Sequence, residues 1–322
     1  MVDQRRGRLE LSPTENESSV SQIALQKDIS LYRLDLFLPV PGFKPFITPW
    51  LIREHCGQNR CLLVDPGPSS SISQLVQKLH SLGVFKIDYV LLTHIHIDHA
   101  GGLANLLQEY PEARVLAHPK ARGHLLDPSK LWAGSLKTLG QLAETYGEIL
   151  PVREETLLPE GIAPEGFQII ATPGHAPHHQ CYVYNYGAGK LLFAGEAGGI
   201  YLQGQPTYLR PATPPKFLFD VTMASLNTLI GLEASVVCYG HIGFSSHPNS
   251  LLRLHREQLF LWRDVVNTEA REGHELSAHH LTETLLSTDP LLGAFRVFDN
   301  DVRKREEYFL QNSINGFLES VK

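Results

Sequence analysis

The chain has 322 residues, 43% of them hydrophobic and 19% charged, with 26 Gly and 21 Pro; this composition builds a substantial globular core and excludes disorder, collagen-like repeats and coiled coils. Its 28 Lys and Arg against 34 Asp and Glu give a formal net charge of -6, and the one basic block, Arg303-Lys304-Arg305, runs straight into Glu306-Glu307, so phosphate-driven nucleic-acid binding is not expected. No run approaches the ~18 apolar residues of a membrane span, the first residues lack the apolar segment of a secretion signal, and the four cysteines, Cys56, Cys61, Cys181 and Cys238, are too scattered for a disulfide scaffold; a cytoplasmic protein with free thiols is expected.

Residues 1–28 are polar and aperiodic and read as a flexible N-terminal lead. From Ile29 a β-rich run through Tyr32, Leu34, Leu36 and Leu38 stops at the turn Pro39-Val40-Pro41-Gly42, and short strands at Trp50-Leu51-Ile52 and Cys61-Leu62-Leu63-Val64 continue an antiparallel meander. After Asp65-Pro66-Gly67 the period changes. Ile72, Leu75, Val76, Leu79 and Leu82 fall on one helical face behind the serines at 69–71, and Gly83 ends that helix. A buried strand over 87–93, a helix carrying Leu103, Leu106, Leu107 and Tyr110, a strand over 114–117 and a helix over 136–146 follow. Apolar runs of strand length at 168–171, 181–186, 191–194 and 235–239, with one helix at 220–230, complete the alternating region. From about Asn249 only helical periodicity remains, so 29–248 is expected to form one αβ unit and 249–322 a C-terminal helical extension.

Chemistry concentrates just after Thr93, where His94-Ile95-His96-Ile97-Asp98-His99 places three imidazoles and a carboxylate on one loop. Imidazole nitrogen and carboxylate oxygen are the donor set of zinc, iron and manganese sites. Three further apolar strands run through glycine into a metal-ligand side chain, at Gly174-His175, Gly195-Glu196 and Gly240-His241. Glycine lets the backbone come close to a crowded centre and turn sharply. Five histidines, an aspartate and a glutamate suffice for two metals that share a carboxylate.

At these residues the sequence resembles the metallo-β-lactamase superfamily, over about residues 30 to 245. His94, His96, Asp98 and His99 match its H-x-H-x-D-H motif, Thr93 with Gly101-Gly102 is similar to the glyoxalase II form, Gly174-His175-Ala176-Pro177-His178-His179 resembles the G-H-x-P-x-H element, and Gly240-His241 resembles the terminal ligand. The resemblance implies an α+β fold: a four-layer αβ/βα sandwich of two mixed β-sheets flanked by helices. It implies one metal on His94, His96 and His175 and a second on Asp98, His99 and His241, with zinc the first choice and iron or manganese the others. Where the family usually bridges its metals with aspartate, this chain has Glu196, which keeps the charge and adds a methylene; it bridges only if the backbone sits back or the metals shift. A β-lactamase of the nearest zinc subclass would be expected to carry cysteine there and an export signal, and this chain has neither. Asp65 resembles the aspartate that takes the free N–H of a ligand histidine, and His179, beside His178, is expected to support a ligand. Tyr201 and Tyr208 are candidates to polarise a substrate carbonyl, whereas His118, His124, His247 and His255 are expected at the surface or satisfied in the core.

These residues together imply a hydrolase in which a metal-bound hydroxide at a dinuclear site cleaves an ester, lactone or thioester, with Asp98 ligating one metal and orienting the metal-bound water. Two rival readings stand beside it: a mononuclear iron sulfur dioxygenase on the same fold, which leaves several donors unused, and a signal-binding regulatory protein that keeps the metal site. The partner expected is a small-molecule substrate, with no nucleic acid and no membrane. Leu251, Leu252, Leu259, Trp262 and Val266 give one helix more apolar surface than an exposed helix tolerates, so the C-terminal helices are expected to cover the mouth of the site or to form a homodimer contact.

Overall fold

In the computed structural model, which describes residues 20–26, 28–187, 189–204, 206–274 and 276–321, the first sheet takes its strands in chain order: β1 (Val20–Gln26), β2 (Ile29–Leu34), β3 (Trp50–Glu54), β4 (Cys61–Val64), β5 (Tyr89–Leu91) and β6 (Arg114–Leu116). The first four pair antiparallel, and β4, β5 and β6 pair parallel. Parallel neighbours need a crossover, supplied here by α1 (Ile72–Ser81) and then by α2 (Ile97–Ala100) with α3 (Leu103–Glu109). β1 corrects the reading of 1–28 as a flexible lead: Val20–Gln26 pairs along β2, where backbone bonding and the burial of Ile23 stand in for an apolar pattern. Residues 1–19 lie outside the described residues. Three helices follow β6, namely α4 (Pro119–Leu126), α5 (Ser129–Leu139) and α6 (Gln141–Tyr146). The single helix expected over 136–146 breaks at Gly140, whose φ of 54° suits glycine alone.

The second half begins with β7 (Phe167–Ala171), β8 (Gln180–Tyr186) and β9 (Gly189–Gly195), passes through a separate hairpin of β10 (Ile200–Leu202) and β11 (Tyr208–Arg210), and returns by α7 (Phe219–Gly231) to β12 (Val236–Tyr239) and β13 (Phe244–Ser245). The order in this sheet is β13-β12-β9-β8-β7, parallel only between β9 and β12. Alternation along the strands assigns their faces. Trp50, Ile52, Leu62 and Val64 meet Tyr182, Leu191, Phe193 and Val236 between the sheets, while Leu51, Leu63, Val183 and Leu192 turn outward to the helices. Both faces of each mixed sheet are therefore covered, which gives the four-layer sandwich. The Trp50 indole N–H donates to the Tyr239 carbonyl at 2.8 Å and ties the two sheets beside the strand ends that carry the site.

The chain closes with α8 (Pro248–Glu272), α9 (Ala278–Thr288) and α10 (Asn300–Val321). Leu251, Leu252, Leu259, Trp262 and Val266 of α8 are buried in the same core as α7 and the outward face of the second sheet. Charge is buried here too. Arg210 Nε donates to Glu306 Oε2 at 2.6 Å and Arg305 Nε to Glu306 Oε1 at 2.8 Å, clamping α10 onto β11. Burial would raise the Glu306 carboxyl, but the two guanidinium groups outweigh it and hold it below the usual range. Among the described residues no helix is long and apolar enough to cross a membrane.

Candidate active site

The motif side chains sit just beyond strand ends at one edge of the sandwich: Asp65 after β4, His94 and His96 between β5 and α2, Asp98 and His99 in α2, His175 between β7 and β8, Glu196 after β9, and His241 after β12. Space there is scarce. A Cβ on Gly195 would lie 2.7 Å from His179 Nε2, and one on Gly240 would lie 2.6 Å from His99 Cε1; any larger residue would displace a site histidine.

The outer nitrogen of each ring sets its orientation. His175 Nδ1 donates to the Ala212 carbonyl at 2.9 Å, His241 Nδ1 to the Phe46 carbonyl at 3.2 Å, and His99 Nδ1 to Asp65 Oδ2 at 3.2 Å, while His94 Nδ1 pairs with Thr93 Oγ1 at 3.0 Å. In the neutral rings, Nε2 of all four therefore carries a lone pair facing inward. Asp65 also accepts from Thr93 N at 2.8 Å and Thr93 Oγ1 at 2.6 Å, so one buried carboxylate fixes both the strand end and His99. Asp65→Ala is expected to weaken metal binding about 10- to 100-fold, measured by competition with a chromogenic chelator; unchanged affinity would separate Asp65 from the site.

Two groups of donor atoms converge, His94, His96, His175 and Glu196 in one and Asp98, His99 and His241 in the other. His175 Nε2 lies 2.8 Å from His96 Nδ1. Asp98 Oδ2 is 3.6 Å from His99 Nε2 and 3.7 Å from His241 Nε2. Glu196 stands between the groups: Oε2 is 2.6 Å from His175 Nε2, 3.3 Å from His94 Nε2 and 3.9 Å from His99 Nε2, and Oε1 is 3.3 Å from His241 Nε2. Its backbone N–H donates to His179 Nε2 at 3.2 Å, and His179, fully buried, pairs through Nδ1 with Thr172 Oγ1 at 2.8 Å. His179 thus holds the Glu196 backbone while the side chain reaches both groups. His178 belongs to neither group and lies against the His94 and His96 rings.

Burial lowers His94 well below the usual imidazole range and brings His96 to about 4. Burial would lower His99 as well, but Asp98 and then Asp65 outweigh it and raise that ring to about 9. For Glu196 burial works upward and the neighbouring histidines, His175 first, outweigh it, so the carboxyl stays ionised. Burial would also lower His175, but Glu196 outweighs it and raises that ring, so His99 and His175 would each give up a proton to a metal; the neutral imidazoles then join ionised carboxylates in the donor set that divalent transition metals prefer. His94 Nε2 and His99 Nε2 are buried without a hydrogen bond, a cost of roughly 1–3 kcal/mol per group that a cation between the rings removes. The residues present fit a metal. A further convergent group, Glu269, His274 and His280 at the α8–α9 corner, is partly exposed, and Glu269 Oε2 accepts directly from both rings at 2.9 and 2.7 Å.

His96, Asp98, His175, Glu196 and His241 line a cavity of about 390 Å³, a size suited to a small molecule. Leu131 and Ser135 of α5, Tyr146, Arg210, and Phe309 and Asn312 of α10 form much of its wall, and His124, expected at the surface or in the core, also lines it. Tyr201 and Tyr208 do not. The β10–β11 hairpin turns both rings into packing, Tyr201 against Tyr239 with centroids 5.5 Å apart and Tyr208 against Phe298 at 5.0 Å, so the expectation that either polarises a substrate is corrected. His255 is a buried core histidine beside Gln258. The Ala212 and Phe46 carbonyls, which orient two site histidines, carry no side-chain signal, and Tyr146 and Arg210 had none beyond ordinary helix and strand patterns.

The family model of the metallo-beta-lactamase superfamily matches residues 45–241, a span that takes in every residue of the two donor groups. The chain belongs to that superfamily. It is 33% identical over 201 residues to the metallo-beta-lactamase fold-containing protein of Sulfurisphaera tokodaii, covering 59% of this chain and 72% of that protein. It is 31% identical over 175 residues to the hydroxyacylglutathione hydrolase of Aeromonas hydrophila, covering 53% of this chain and 56% of that one; the chain thus spans little more than half the length of such relatives. Among solved structures, an archaeal metallo-beta-lactamase superfamily protein from Sulfolobus tokodaii superposes with a TM-score of 0.56 at 31% identity, over 71% of this chain and 85% of that one. A metallo-beta-lactamase family protein from Thermus thermophilus shares the fold with a TM-score of 0.63 at 22% identity, over 90% of this chain and 92% of that one.

Proposed function

We propose that the chain is a metal-dependent hydrolase of an ester, lactone or thioester. Two divalent transition-metal ions, zinc first among them, would be held by His94, His96 and His175 on one side and by Asp98, His99 and His241 on the other, with Glu196 shared. The observation that carries this reading is the Glu196 carboxylate, with Oε2 2.6 Å from His175 Nε2 and Oε1 3.3 Å from His241 Nε2: one anion faces both donor groups. The set exceeds what one tetrahedral or five-coordinate ion uses, which weighs against the single-iron dioxygenase. The hydrolytic activity named for the hydroxyacylglutathione hydrolase relatives supports the class of reaction.

Ions held there would lower the pKa of a water towards neutrality and would polarise the substrate carbonyl. Asp98, whose side chain is 18% exposed and lines the cavity, would accept a proton from the attacking water and pass it to the leaving group. The cavity walls would hold the acyl portion.

His96→Ala is expected to lose metal and turnover together, followed by elemental analysis and by assays on ester, lactone and thioester panels. Turnover that survives complete metal removal, or a fully metallated protein inert towards all three panels, would count against the proposal. The second donor group also has a pH signature. With His99 raised to about 9, a metal must displace its proton at lower pH, so affinity at this group should fall about tenfold per unit of acidification below that value. Calorimetric titrations in buffers of different ionisation enthalpy would read this as close to one proton released at pH 7.

A further inference from the structure

The turn that carries His241 from β12 to β13 holds a backbone conformation its sequence does not favour. Gly240 and Gly243 stand on either side, yet the left-handed residue is Ile242, at a φ of 55°, where a β-branched side chain is rarely found. The Gly243 N–H donates to the His241 carbonyl at 2.7 Å, which closes a three-residue turn around Ile242 of the rarer, strained kind. Such a turn persists only where its surroundings hold it. Here the hold comes from the first sheet, between the end of β2 and the start of β3, where Leu36 and Ile47 bridge antiparallel and set Asp35 opposite Thr48, both buried. Thr48 grips the turn on both sides of His241: its N–H donates to the Gly240 carbonyl at 3.2 Å, and its Oγ1 accepts from Ile242 N at 3.1 Å. The same hydroxyl donates to Asp35 Oδ1 at 2.8 Å. Arg33, with Nη2 2.9 Å from Asp35 Oδ2, donates from Nη1 to the Ile242 carbonyl at 3.1 Å. Phe46, from the same stretch, accepts from His241 Nδ1 through its carbonyl and stacks its ring on the imidazole with centroids 4.3 Å apart.

We propose that Thr48 is a positioning residue for the metal centre: its hydroxyl, set by Asp35, holds the strained Ile242 turn and so aims His241 Nε2 into the second donor group. The inference rests on the two-metal reading above. Without that hydroxyl Ile242 N loses its acceptor, and the turn is free to relax towards negative φ, which swings the adjoining His241 peptide. His241 Nε2 stands 3.7 Å from Asp98 Oδ2 and 3.3 Å from Glu196 Oε1, a convergence that a relaxed turn would not keep. His94, His96 and His175 sit at other strand ends, so the loss should fall on one ion and spare the other. Groups that orient a ligand from behind typically change metal affinity about 10- to 100-fold, and the lower end suits a residue acting through the backbone.

The test is Thr48→Val in the full-length chain, stripped with a chelator and titrated calorimetrically with zinc, beside His241→Ala to mark the binding step that belongs to the second group. Valine keeps the shape and removes the hydroxyl. The expected result is a fall of about tenfold in affinity at the marked step, with the other step unchanged. Thr48→Ser, which keeps the hydroxyl and drops the methyl, should bind both ions as the wild type does, the reverse of what a packing role predicts. Ile242→Gly added to Thr48→Val should restore most of the lost affinity, because glycine takes a positive φ without strain. Arg33→Met, which frees the Ile242 carbonyl, should weaken the same step, and it decides the matter should Thr48→Val fail to fold. Both steps unchanged, both weakened alike, or Thr48→Ser as defective as Thr48→Val would overturn the role of Thr48 while leaving the two-metal reading intact. A wild type that binds fewer than two zinc ions would overturn that reading and this role with it.

Discussion

Glu196→Gln is expected to release one metal per chain and to lower turnover at least 10²-fold, the range seen when one preorganised electrostatic group is removed from a hydrolytic site. The reason is charge. Two unit charges 4 Å apart repel by about 4 kcal/mol at an effective dielectric of 20, and doubly charged ions repel by more; a carboxylate between them offsets that repulsion. Glutamine keeps the shape and loses the charge. Glu196→Asp keeps the charge and loses reach, in a site where the present side chain already spans 2.6 Å to His175 and 3.3 Å to His241. It should hold one tight metal, weaken the second and retain part of the activity. Elemental analysis of both variants beside their kcat values decides the matter: a Gln variant with both metals and full turnover would remove Glu196 from the ligand set.

Glu306→Ala should cost about 3–5 kcal/mol of stability, because it leaves Arg210 and Arg305 buried without their anion. Both arginines are nearly inaccessible, Arg210 at 3% and Arg305 at 5% exposure, and Glu306 itself is at 0%. For a chain of this size the loss corresponds to a drop in Tm of roughly 4–7 °C. Arg210 lines the cavity, so the same variant should disturb substrate binding as the α10 wall loosens. The pH dependence follows from the sign of the shift. Glu306 is held below its usual carboxyl value in the folded chain, so its stabilisation is fully present above the unfolded value of about 4.3 and is lost as pH falls through the lower folded one. Thermal melts at pH 7 would show the destabilisation, and on acidification the gap between wild type and Glu306→Ala should close only below that range.

The donor groups were legible because their chemistry is local. The motif at His94, His96, Asp98 and His99 is contiguous, and the strand-glycine-ligand arrangement at His175, Glu196 and His241 repeats within single segments. The central strands and α1, α3 and α7 were legible for the same reason, since each is one unbroken periodic pattern. What escaped was set by tertiary contact. β1 forms on a polar sequence because β2 offers it a ladder. Glu306 looked like one more charge on an amphipathic helix, and its burial depends on Arg210, 96 residues away in the chain. Tyr201 and Tyr208 follow Glu196 in sequence, but as members of the β10–β11 hairpin both are turned into packing, whereas Tyr146 comes to the cavity through the packing of α6 on α2. Proximity in sequence marked the side chains that converge and missed the cavity walls, because walls are assembled from segments that meet only in the folded chain.

The number of metal ions held per chain bears on all of this at once. Protein expressed with supplemented zinc, iron or manganese and freed of loosely bound ions should retain close to two per chain by elemental analysis. Retention falling to one in both Glu196→Gln and His96→Ala would match the shared carboxylate and the two donor groups. A wild type that saturates at one ion per chain would contradict the dinuclear account and return the mononuclear iron reading to the front.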